Sequence, residues 1–375
     1  MSGLLKKISE FTCGFMVFFI VSSASFFGFY GKWHFRDAHP DLDAQAFSGS
    51  LDKVLDGTAP RPFVYRQLLP MIANGIDRAT PETLKDRLFS ITTPGGHLLR
   101  ERLFVATLAQ DRHYFFRYWI IYLLTFFFSF ASTCAMYFLV RNMGYDPLVA
   151  TFSSAFFILL MPFFMSVGGY YYDYVELTFL VLAVLIALRF YWGWLIPLAL
   201  LAAWNKESFL LFVPCLYPLL RMKYSRQMAL VATAANGVAC GLVVFLLRIR
   251  YAQNPGGTVQ FHMFAQILYF LNPLRMLSPL DSTYGIIFLP SLNPISLVLI
   301  FWIVWNGWKS LPISIRRFSI VASIINIPLF LLFCSPGELR NLSFLYVPFL
   351  LLIAGLAHEL QSKNASFSGK TPEIA

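Results

Sequence analysis

Residues 118–140 read YWIIYLLTFFFSFASTCAMYFLV and contain no charged side chain. An α-helix rises ~1.5 Å per residue, so it needs roughly 20 apolar residues to cross ~30 Å of hydrocarbon. The stretch therefore predicts a membrane-spanning helix. The same criterion predicts eight full spans, at 11–30, 118–140, 147–166, 175–192, 228–247, 284–305, 317–335 and 342–358.

The composition excludes a water-soluble globular protein. Of the 375 residues, 58% are hydrophobic and 13% are charged, whereas soluble domains are about 25% charged. The formal net charge is 29 − 19 = +10. In a membrane protein such an excess reports orientation and anionic head groups, so we expect no nucleic-acid partner. The five cysteines lie in apolar stretches without a CxxC pair, which indicates neither a disulfide framework nor a zinc site.

The stretch 194–220 differs from the spans because the polar string NKES at 205–208 interrupts it. Each flanking apolar piece is too short to cross a bilayer, which predicts a broken or re-entrant pair of helices. The predicted fold class is therefore all-α: a polytopic transmembrane bundle of about eight full spans plus this broken pair.

The distribution of basic residues predicts the orientation. If the N-terminus is cytoplasmic and 194–220 returns to the side it left, the inner segments hold 12 basic and four acidic residues, as the positive-inside rule requires. A single crossing at 194–220 would place the later basic loops outside. We therefore expect a multi-pass membrane protein with both termini in the cytoplasm.

The predicted organisation is one transmembrane domain, 1–358, followed by a disordered cytoplasmic tail, 359–375. Within the domain, 31–117 forms a long extracytoplasmic loop. Apolar residues recur at helical spacing around 63–76 and again around 98–106, which predicts two helices at the outer membrane surface.

Ionisable and aromatic residues at the outer ends of the spans predict an extracytoplasmic site. An ionisable side chain near the bilayer costs free energy unless it is paired or faces water, so its presence is a functional hypothesis. The candidates are Asp37, Asp41, Asp43, Arg61, Tyr65, Arg66, Tyr172, Asp173, Glu176, Lys206, Glu207, Glu338 and Arg340.

The acidic residues after the first span are open to two interpretations. They form either a solvated loop or a catalytic group, in which Asp37, or one of Asp41 and Asp43, acts as a general base on a hydroxyl. Asp41 and Asp43 also offer oxygens to a divalent cation such as Mg²⁺ or Mn²⁺. No other cofactor is expected.

The string RPFVYRQLLP at 61–70 carries Arg61, Tyr65 and Arg66 at the start of a surface helix. Its arginines either snorkel to lipid head groups or provide a site in which Arg66 binds a phosphate through both arms of its guanidinium. The string GGYYYD, which contains Tyr172, is either an interfacial aromatic belt or a platform on which a sugar ring stacks.

Two short polar turns raise the same choice. In the NKES string, Lys206 and Glu207 neutralise each other, or Lys206 also contacts a ligand phosphate. Glu338 and Arg340 form a solvent-facing pair, or Arg340 serves the site from a loop too short to leave the bilayer surface.

Taken together, these features resemble the GT-C superfamily of integral-membrane glycosyltransferases. The resemblance rests on a short first span, a long first outer loop with two surface helices, the Asp41-Leu42-Asp43 set and later basic residues on the same face. The strings RPFVYRQLLP, NKES and ELR are similar to strings in bacterial members without an assigned substrate. This similarity implies the bacterial inner (plasma) membrane as the location of the protein. The large soluble C-terminal domain of many members is not seen here, which leaves the acceptor open.

The resemblance implies inverting transfer of a sugar from a polyprenyl-phosphate donor to a lipid-linked or cell-surface glycan. It implies a base in the first outer loop, which corresponds to Asp37, or otherwise to Asp41 or Asp43. The leaving lipid phosphate would be stabilised by Arg66, Lys206 and Arg340.

Other functional classes remain as alternatives. A transporter or flippase for lipid-linked saccharides predicts two related halves, which the sequence does not display. A polymerase or ligase of surface polysaccharides is compatible with the same residues, whereas a membrane acyltransferase requires a histidine-centred site. A structural scaffold is expected if the polar residues point apart.

Overall fold

The computed structural model describes residues 2–33, 50–92, 107–109, 111–165, 168–257, 259, 261–279 and 281–368. Its helices are α1 (Ser2–Tyr30), α2 (Leu51–Leu55), α3 (Leu68–Ala79), α4 (Glu82–Thr92), α5 (Phe115–Asn142), α6 (Pro147–Phe164), α7 (Asp173–Arg189), α8 (Leu195–Asn205), α9 (Phe209–Phe212), α10 (Tyr217–Leu220), α11 (Arg226–Arg250), α12 (Met263–Phe270), α13 (Pro273–Leu277), α14 (Pro294–Gly307), α15 (Ile313–Phe333) and α16 (Tyr346–Ser368). Two strands, β1 (Asp281–Thr283) and β2 (Ile286–Phe288), pair antiparallel.

The predicted helical membrane fold is confirmed. In the described part of the chain, six helical segments are long and apolar enough to cross a bilayer. They are Cys13–Tyr30, Phe115–Asn142, Pro147–Phe164, Arg226–Arg250, Ile313–Phe333 and Leu339–Lys363. Two other predicted spans correspond to shorter helices: α7 has 17 residues and α14 has 14.

The start of α14 differs from the prediction for a local reason. The predicted span 284–305 begins inside the β1–β2 hairpin, whose turn contains Gly285 at a φ of +80°, a conformation that glycine adopts at little cost. The helix begins only at Pro294, after the Asn293 side chain accepts a hydrogen bond from the Ser296 amide at 3.0 Å. This capping box and the proline at the first helical position set the helix start.

The predicted break in 194–220 is confirmed. Helix α8 ends where Lys206 adopts an extended conformation (φ −157°, ψ 124°), and the chain then turns into the short helices α9 and α10. The two ends of the segment lie together, because Lys223 Nζ donates to the Phe190 carbonyl at 2.8 Å and the Trp192 amide donates to the Tyr224 hydroxyl at 3.3 Å. The segment therefore leaves and returns at the same end of the bundle.

We call that end of the bundle the basic end. There the Tyr145 ring lies 5.6 Å from the His358 ring, and Gly355 packs so closely on Ser310 that a Cβ would lie 2.0 Å from the serine oxygen. The basic residues at this end are Arg141, Arg189, Arg221, Lys223, Arg226, Lys309, Arg316, Arg317 and Lys363. All nine belong to the 12 basic residues that the sequence predicts for the inner, cytoplasmic segments.

Helix α3 lies in the long loop after α1, within one of the two stretches for which a surface helix is predicted. In α3, Leu69 and Ala73 are buried, whereas Ile72 and Ile76 are exposed, as expected for a helix whose outer face meets lipid. The second predicted surface helix, around 98–106, lies outside the described residues.

Of the predicted disordered tail at 359–375, the described part, 359–368, is helical. Helix α16 continues to Ser368. Lys363 Nζ lies 2.8 Å from Glu359 Oε1 in an i,i+4 pair, which supports an exposed helix.

Candidate functional site

The candidate site lies at the end of the bundle opposite the basic end, where four chain segments meet. They are 61–70, 170–176, 205–208 and 338–343, which come from loops far apart in sequence. We call its charged residues the ionic cluster: Arg66, Asp173, Glu176, Lys206, Glu207, Glu338 and Arg340.

The first turn of α7 places two carboxylates in the cluster. Asp173 and Glu176 are three residues apart, so they lie on the same face of the helix. Both side chains are buried. Their position in the first turn is favourable because the helix N-terminus carries partial positive charge.

Arg340 joins the loop before α16 to the start of α7. Its Nη1 lies 3.4 Å from Asp173 Oδ2, and its Nη2 lies 3.0 Å from Glu338 Oε2. The guanidinium carbon also lies 4.4 Å from the centre of the Tyr170 ring, a cation–π distance. Arg340 is only 9% exposed, so these partners replace nearly all of its hydration.

Glu176 joins the tip of the broken pair to the same region. Lys206 Nζ lies 2.7 Å from Glu176 Oε2, and Ser343 Oγ donates to Glu176 Oε1 at 2.9 Å. Ser208 Oγ reaches the same carboxylate at 3.4 Å. The break between α8 and α9 therefore lies where Lys206 and Ser208 can bind the Glu176 carboxylate on α7.

Arg66 is held against the aromatic residues of the site. Its guanidinium lies 4.6 Å from the centre of the Tyr172 ring and donates to the Tyr172 hydroxyl. Its Nη2 is 3.5 Å from Glu207 Oε1. Burial lowers the Arg66 pKa, but the Tyr172 oxygen and the Glu207 carboxylate offset this, and the pKa lies above its ordinary value. Arg66 therefore stays charged throughout the physiological pH range.

Stacked tyrosines connect the two halves of the cluster. The rings of Tyr170 and Tyr172 are 5.1 Å apart and nearly parallel, with Arg340 over the first and Arg66 over the second. Burial raises the Tyr172 pKa well above its ordinary value, so its hydroxyl stays neutral. The aromatic platform predicted in GGYYYD is thus part of the site and contacts both arginines.

The predicted residues have three different outcomes. Tyr172 and the seven residues of the ionic cluster come together. Arg61 and Tyr65 lie on the same segment as Arg66, with Tyr65 in the main hydrophobic core and the Arg61 amide bonded to the Pro255 carbonyl at 2.8 Å. Asp37, Asp41 and Asp43 lie outside the described residues.

The charges of the cluster differ from a simple phosphate-binding site. Each of the three predicted cations has a carboxylate partner, and the cluster holds four carboxylates in all. A cluster without excess positive charge does not favour an anion in its centre. Its composition is better suited to a neutral polar ligand.

In segments 61–70 and 205–208, four buried side-chain polar atoms lack a hydrogen-bond partner among the described residues. Two are donors, Arg61 Nε and Arg66 Nε, and two are acceptors, Asn205 Oδ1 and Glu207 Oε2. Unpaired buried polar atoms are rare because each costs ~1–3 kcal/mol. Hydroxyl groups, which both donate and accept, match this mixed set.

An apolar groove begins beside the cluster. It has a volume of about 620 Å³ and is formed largely by α6, α14 and α16. Lys32, Ser291 and Leu339 line it near the cluster, while Glu359 and Lys363 line it near the basic end. Leu339 directly precedes Arg340, so the segment 338–343 borders both the polar site and the groove.

Metal ligands are not grouped in the described part of the chain. No set of three or more His, Cys, Asp or Glu residues there has the proximity of a metal site. Asp41 and Asp43, the predicted cation ligands, are not among the described residues.

Some residues of the site were not predicted. Ser343 lies one helical turn after Arg340, and this spacing is a signal that sequence inspection can detect. Tyr170 lies in the same string as Tyr172 but was not singled out. The role of Ser208 depends on contact with Glu176 and has no local signal in the sequence.

Comparison of the chain with protein-family models, curated proteins and solved structures finds no match. The function must therefore be argued from the site itself.

Proposed function

We propose that the protein is a membrane glycosyltransferase that transfers a sugar from a polyprenyl-phosphate-linked donor to an extracytoplasmic lipid-linked or cell-surface glycan. The observation that carries the proposal is that the segment 338–343 borders both an apolar groove and a polar site with unpaired donors and acceptors. A lipid-linked sugar has the same division into apolar and hydroxylated parts.

The groove suits the lipid part of the donor. Its walls are largely aromatic and aliphatic, and two of the three helices that form it, α6 and α16, belong to segments long enough to cross a bilayer. Lys32 lines the groove near the cluster, and its Nζ donates to the Pro162 carbonyl at 2.8 Å. A lipid phosphate at this end of the groove gains from the lysine charge.

The cluster suits the sugar. Hydroxyl groups satisfy the unpaired atoms of Arg66, Asn205 and Glu207 in both directions. Because cations and carboxylates nearly balance, we expect a neutral hexose or pentose in preference to an acidic sugar.

The chemistry proposed for the site is direct displacement with inversion. A base in the first outer loop, Asp37 or else Asp41 or Asp43, removes the proton of the acceptor hydroxyl as that oxygen attacks the anomeric carbon. The bond to the lipid phosphate breaks, and the phosphate leaves as an anion. A phosphate leaving group has less need of the general acid that glycoside hydrolysis requires.

The proposed orientation places the cluster outside the cytoplasm. The basic end then faces the cytoplasm, as the positive-inside rule requires, and both ends of the broken pair lie on that side. The proposal includes no partner besides the lipid-linked donor, the acceptor and membrane lipids. Any requirement for Mg²⁺ or Mn²⁺ is proposed only at Asp41 and Asp43.

The test is transfer of radiolabelled sugar from polyprenyl-phosphate donors to membrane glycans. We expect Asp37→Asn to abolish transfer while expression is unchanged, because the amide cannot accept the proton. The double variant Asp41→Asn with Asp43→Asn serves as the comparison, since it removes the alternative base. Full transfer by both variants would exclude residues 37–43 from the mechanism. Absence of transfer by the parent protein with every donor tested would exclude the proposed glycosyltransferase function.

A flippase for lipid-linked saccharides is the second candidate, favoured by one observation. The groove reaches residues at both ends of the bundle, Leu339 at one and Lys363 at the other. A flippase moves the lipid-linked saccharide between leaflets without changing it, whereas a transferase consumes the donor. Chemical analysis of the donor after incubation with the reconstituted protein distinguishes the two.

A further inference from the structure

A second cavity lies at the basic end of the bundle, away from the ionic cluster. It has a volume of about 590 Å³ and lies where the end of the broken pair meets the start of α15. Arg221, Ser314 and Arg317 supply its polar groups, and Tyr217, Met222 and Ile313 are among its apolar walls. Ser314 and Arg317 are three residues apart on α15 and so point to the same side.

The two arginines are not neutralised by the described protein. Arg221 donates to the Tyr224 carbonyl at 2.7 Å, which leaves its charge uncompensated. Neither Arg221 nor Arg317 is within ion-pair distance of a carboxylate in the described residues. This contrasts with the ionic cluster, where every arginine has an acidic partner.

The surroundings of the cavity add to its positive charge. Nine basic residues lie at this end, and the described acidic residues near them are Asp146 and Glu359. Glu359 pairs with Lys363, and Asp146 caps α6 through the Leu148 amide at 2.8 Å. The potential at the cavity therefore favours an anion.

The apolar walls select the kind of anion. Met222 and Ile313 are more than half exposed, and they lie at the ends of segments that pack within the bundle. A free phosphate gains nothing from such walls, whereas the glycerol and first acyl carbons of a lipid bury them. The cavity thus combines charged and apolar groups in the way that a phospholipid does.

We propose that this cavity binds an anionic phospholipid, with the phosphate between Arg221 and Arg317 and the acyl chains against Tyr217, Met222 and Ile313. A guanidinium binds phosphate oxygens through two parallel hydrogen bonds, and Ser314 supplies a further donor. The site is separate from the proposed sugar site and does not depend on the proposed reaction.

The test uses the full chain, stripped of lipid in detergent and examined by native mass spectrometry with added palmitoyl-oleoyl phosphatidylglycerol. We expect the double variant Arg221→Gln with Arg317→Gln to bind this lipid at least roughly tenfold more weakly than the parent. The matched control is Arg141→Gln with Arg189→Gln, which removes two exposed charges from the same end but not from the cavity. The control pair should bind like the parent.

Further measurements separate the possible outcomes. Phosphatidylcholine should bind more weakly than phosphatidylglycerol, and Arg221→Lys with Arg317→Lys should bind with intermediate affinity because an ammonium lacks the planar fork. Equal loss in the cavity pair and the control pair would overturn the site in favour of general attraction to the basic end. Displacement of the lipid by millimolar inorganic phosphate would contradict the proposal, because it would show that the cavity binds a free anion and not a lipid. Unchanged thermal unfolding of each variant confirms that the fold is retained.

Discussion

Arg340 joins two carboxylates of the ionic cluster to its aromatic residues. It lies between Asp173 and Glu338 and over the Tyr170 ring, so it neutralises two buried carboxylates that would otherwise repel each other. Removing one partner of a buried ion pair is costly because the remaining charge stays desolvated.

We therefore predict that Arg340→Met destabilises the protein by about 3–5 kcal/mol, seen as a lower midpoint of thermal unfolding in detergent. Adding Asp173→Asn to this variant should restore part of the loss, because one unpaired charge is removed. Arg250→Met, at an exposed position on α11, is the control and should change the midpoint little. A midpoint for Arg340→Met equal to that of the control would show that the pairs contribute no net stability.

Glu207 is the carboxylate of the cluster with a buried oxygen that has no described partner. We predict that Glu207→Gln lowers sugar transfer by roughly 10- to 100-fold, because the amide presents a donor where a ligand hydroxyl requires an acceptor. Radiolabelled transfer at saturating and at low donor concentration measures the effect on binding and on turnover. Asp86→Asn, which weakens only an exposed pair with Arg112, should retain activity, and equal activity of both variants would exclude Glu207 from ligand binding.

Sequence reasoning at this scale found the residues and one pair within a segment, Glu338 with Arg340, but not the pairs between segments. The composition of the span ends identified Asp173, Glu176 and Arg340 as candidates, since charge beside a bilayer is unusual. Which cation meets which carboxylate depends on distances between segments separated by up to 167 positions, and no local pattern encodes it. The sequence therefore predicted that Arg66, Lys206 and Arg340 bind a phosphate, and it did not reveal that carboxylates from other segments neutralise them.

Among the elements, the contact between α1 and the end of α6 positions the aromatic part of the site. Gly169, next to Tyr170, pairs with the end of α1, where its amide donates to the Lys32 carbonyl at 2.9 Å. A Cβ at Gly169 would lie 2.4 Å from the Phe29 ring, so a larger residue must push α1 away.

We predict that Gly169→Ala destabilises the protein by about 1–3 kcal/mol through overpacking. The matched control is Gly237→Ala in α11, where a Cβ meets nothing within 4 Å, and the change there should stay within about 1 kcal/mol. Thermal unfolding in detergent compares the two variants. Equal midpoints would show that Phe29 moves aside without cost.

Predictions about elements succeeded where length alone decides. The two apolar pieces around NKES are too short to span, and this physical limit anticipated the break between α8 and α9. The start of α14 was missed because Ile286, Ile287 and Phe288 are apolar in a strand as much as in a helix, and short apolar runs do not distinguish the two. Only the turn at Gly285 and the cap at Asn293 mark the boundary.

At the scale of the whole molecule, segment 194–220 starts and ends at the basic end, and this determines which later loops lie on the same side of the membrane. We predict that cysteines introduced by Thr80→Cys and Asn341→Cys react with an impermeant thiol reagent in intact cells, whereas one introduced by Ser310→Cys does not. Thr80 ends α3 and Asn341 adjoins Arg340, but Ser310 lies at the basic end. The parent chain, whose described cysteines lie in apolar helices or at their ends, measures the background.

The reverse labelling pattern would show that the protein has the opposite orientation in the membrane, with the ionic cluster on the cytoplasmic side. Labelling of all three positions would instead indicate that Ser310 and Asn341 lie on the same side, which the bundle does not permit. Labelling in permeabilised cells controls for reactivity at each position.

The groove along α14 and α16 is open on its outer side, where Phe152, Leu299 and Trp302 remain exposed. A long-chain molecule can therefore enter it sideways without leaving the bilayer. Encounter is then a search in two dimensions, and the quantity that governs occupancy is the mole fraction of the molecule among neighbouring lipids. Dilution of the aqueous phase leaves that fraction, and so the occupancy, unchanged.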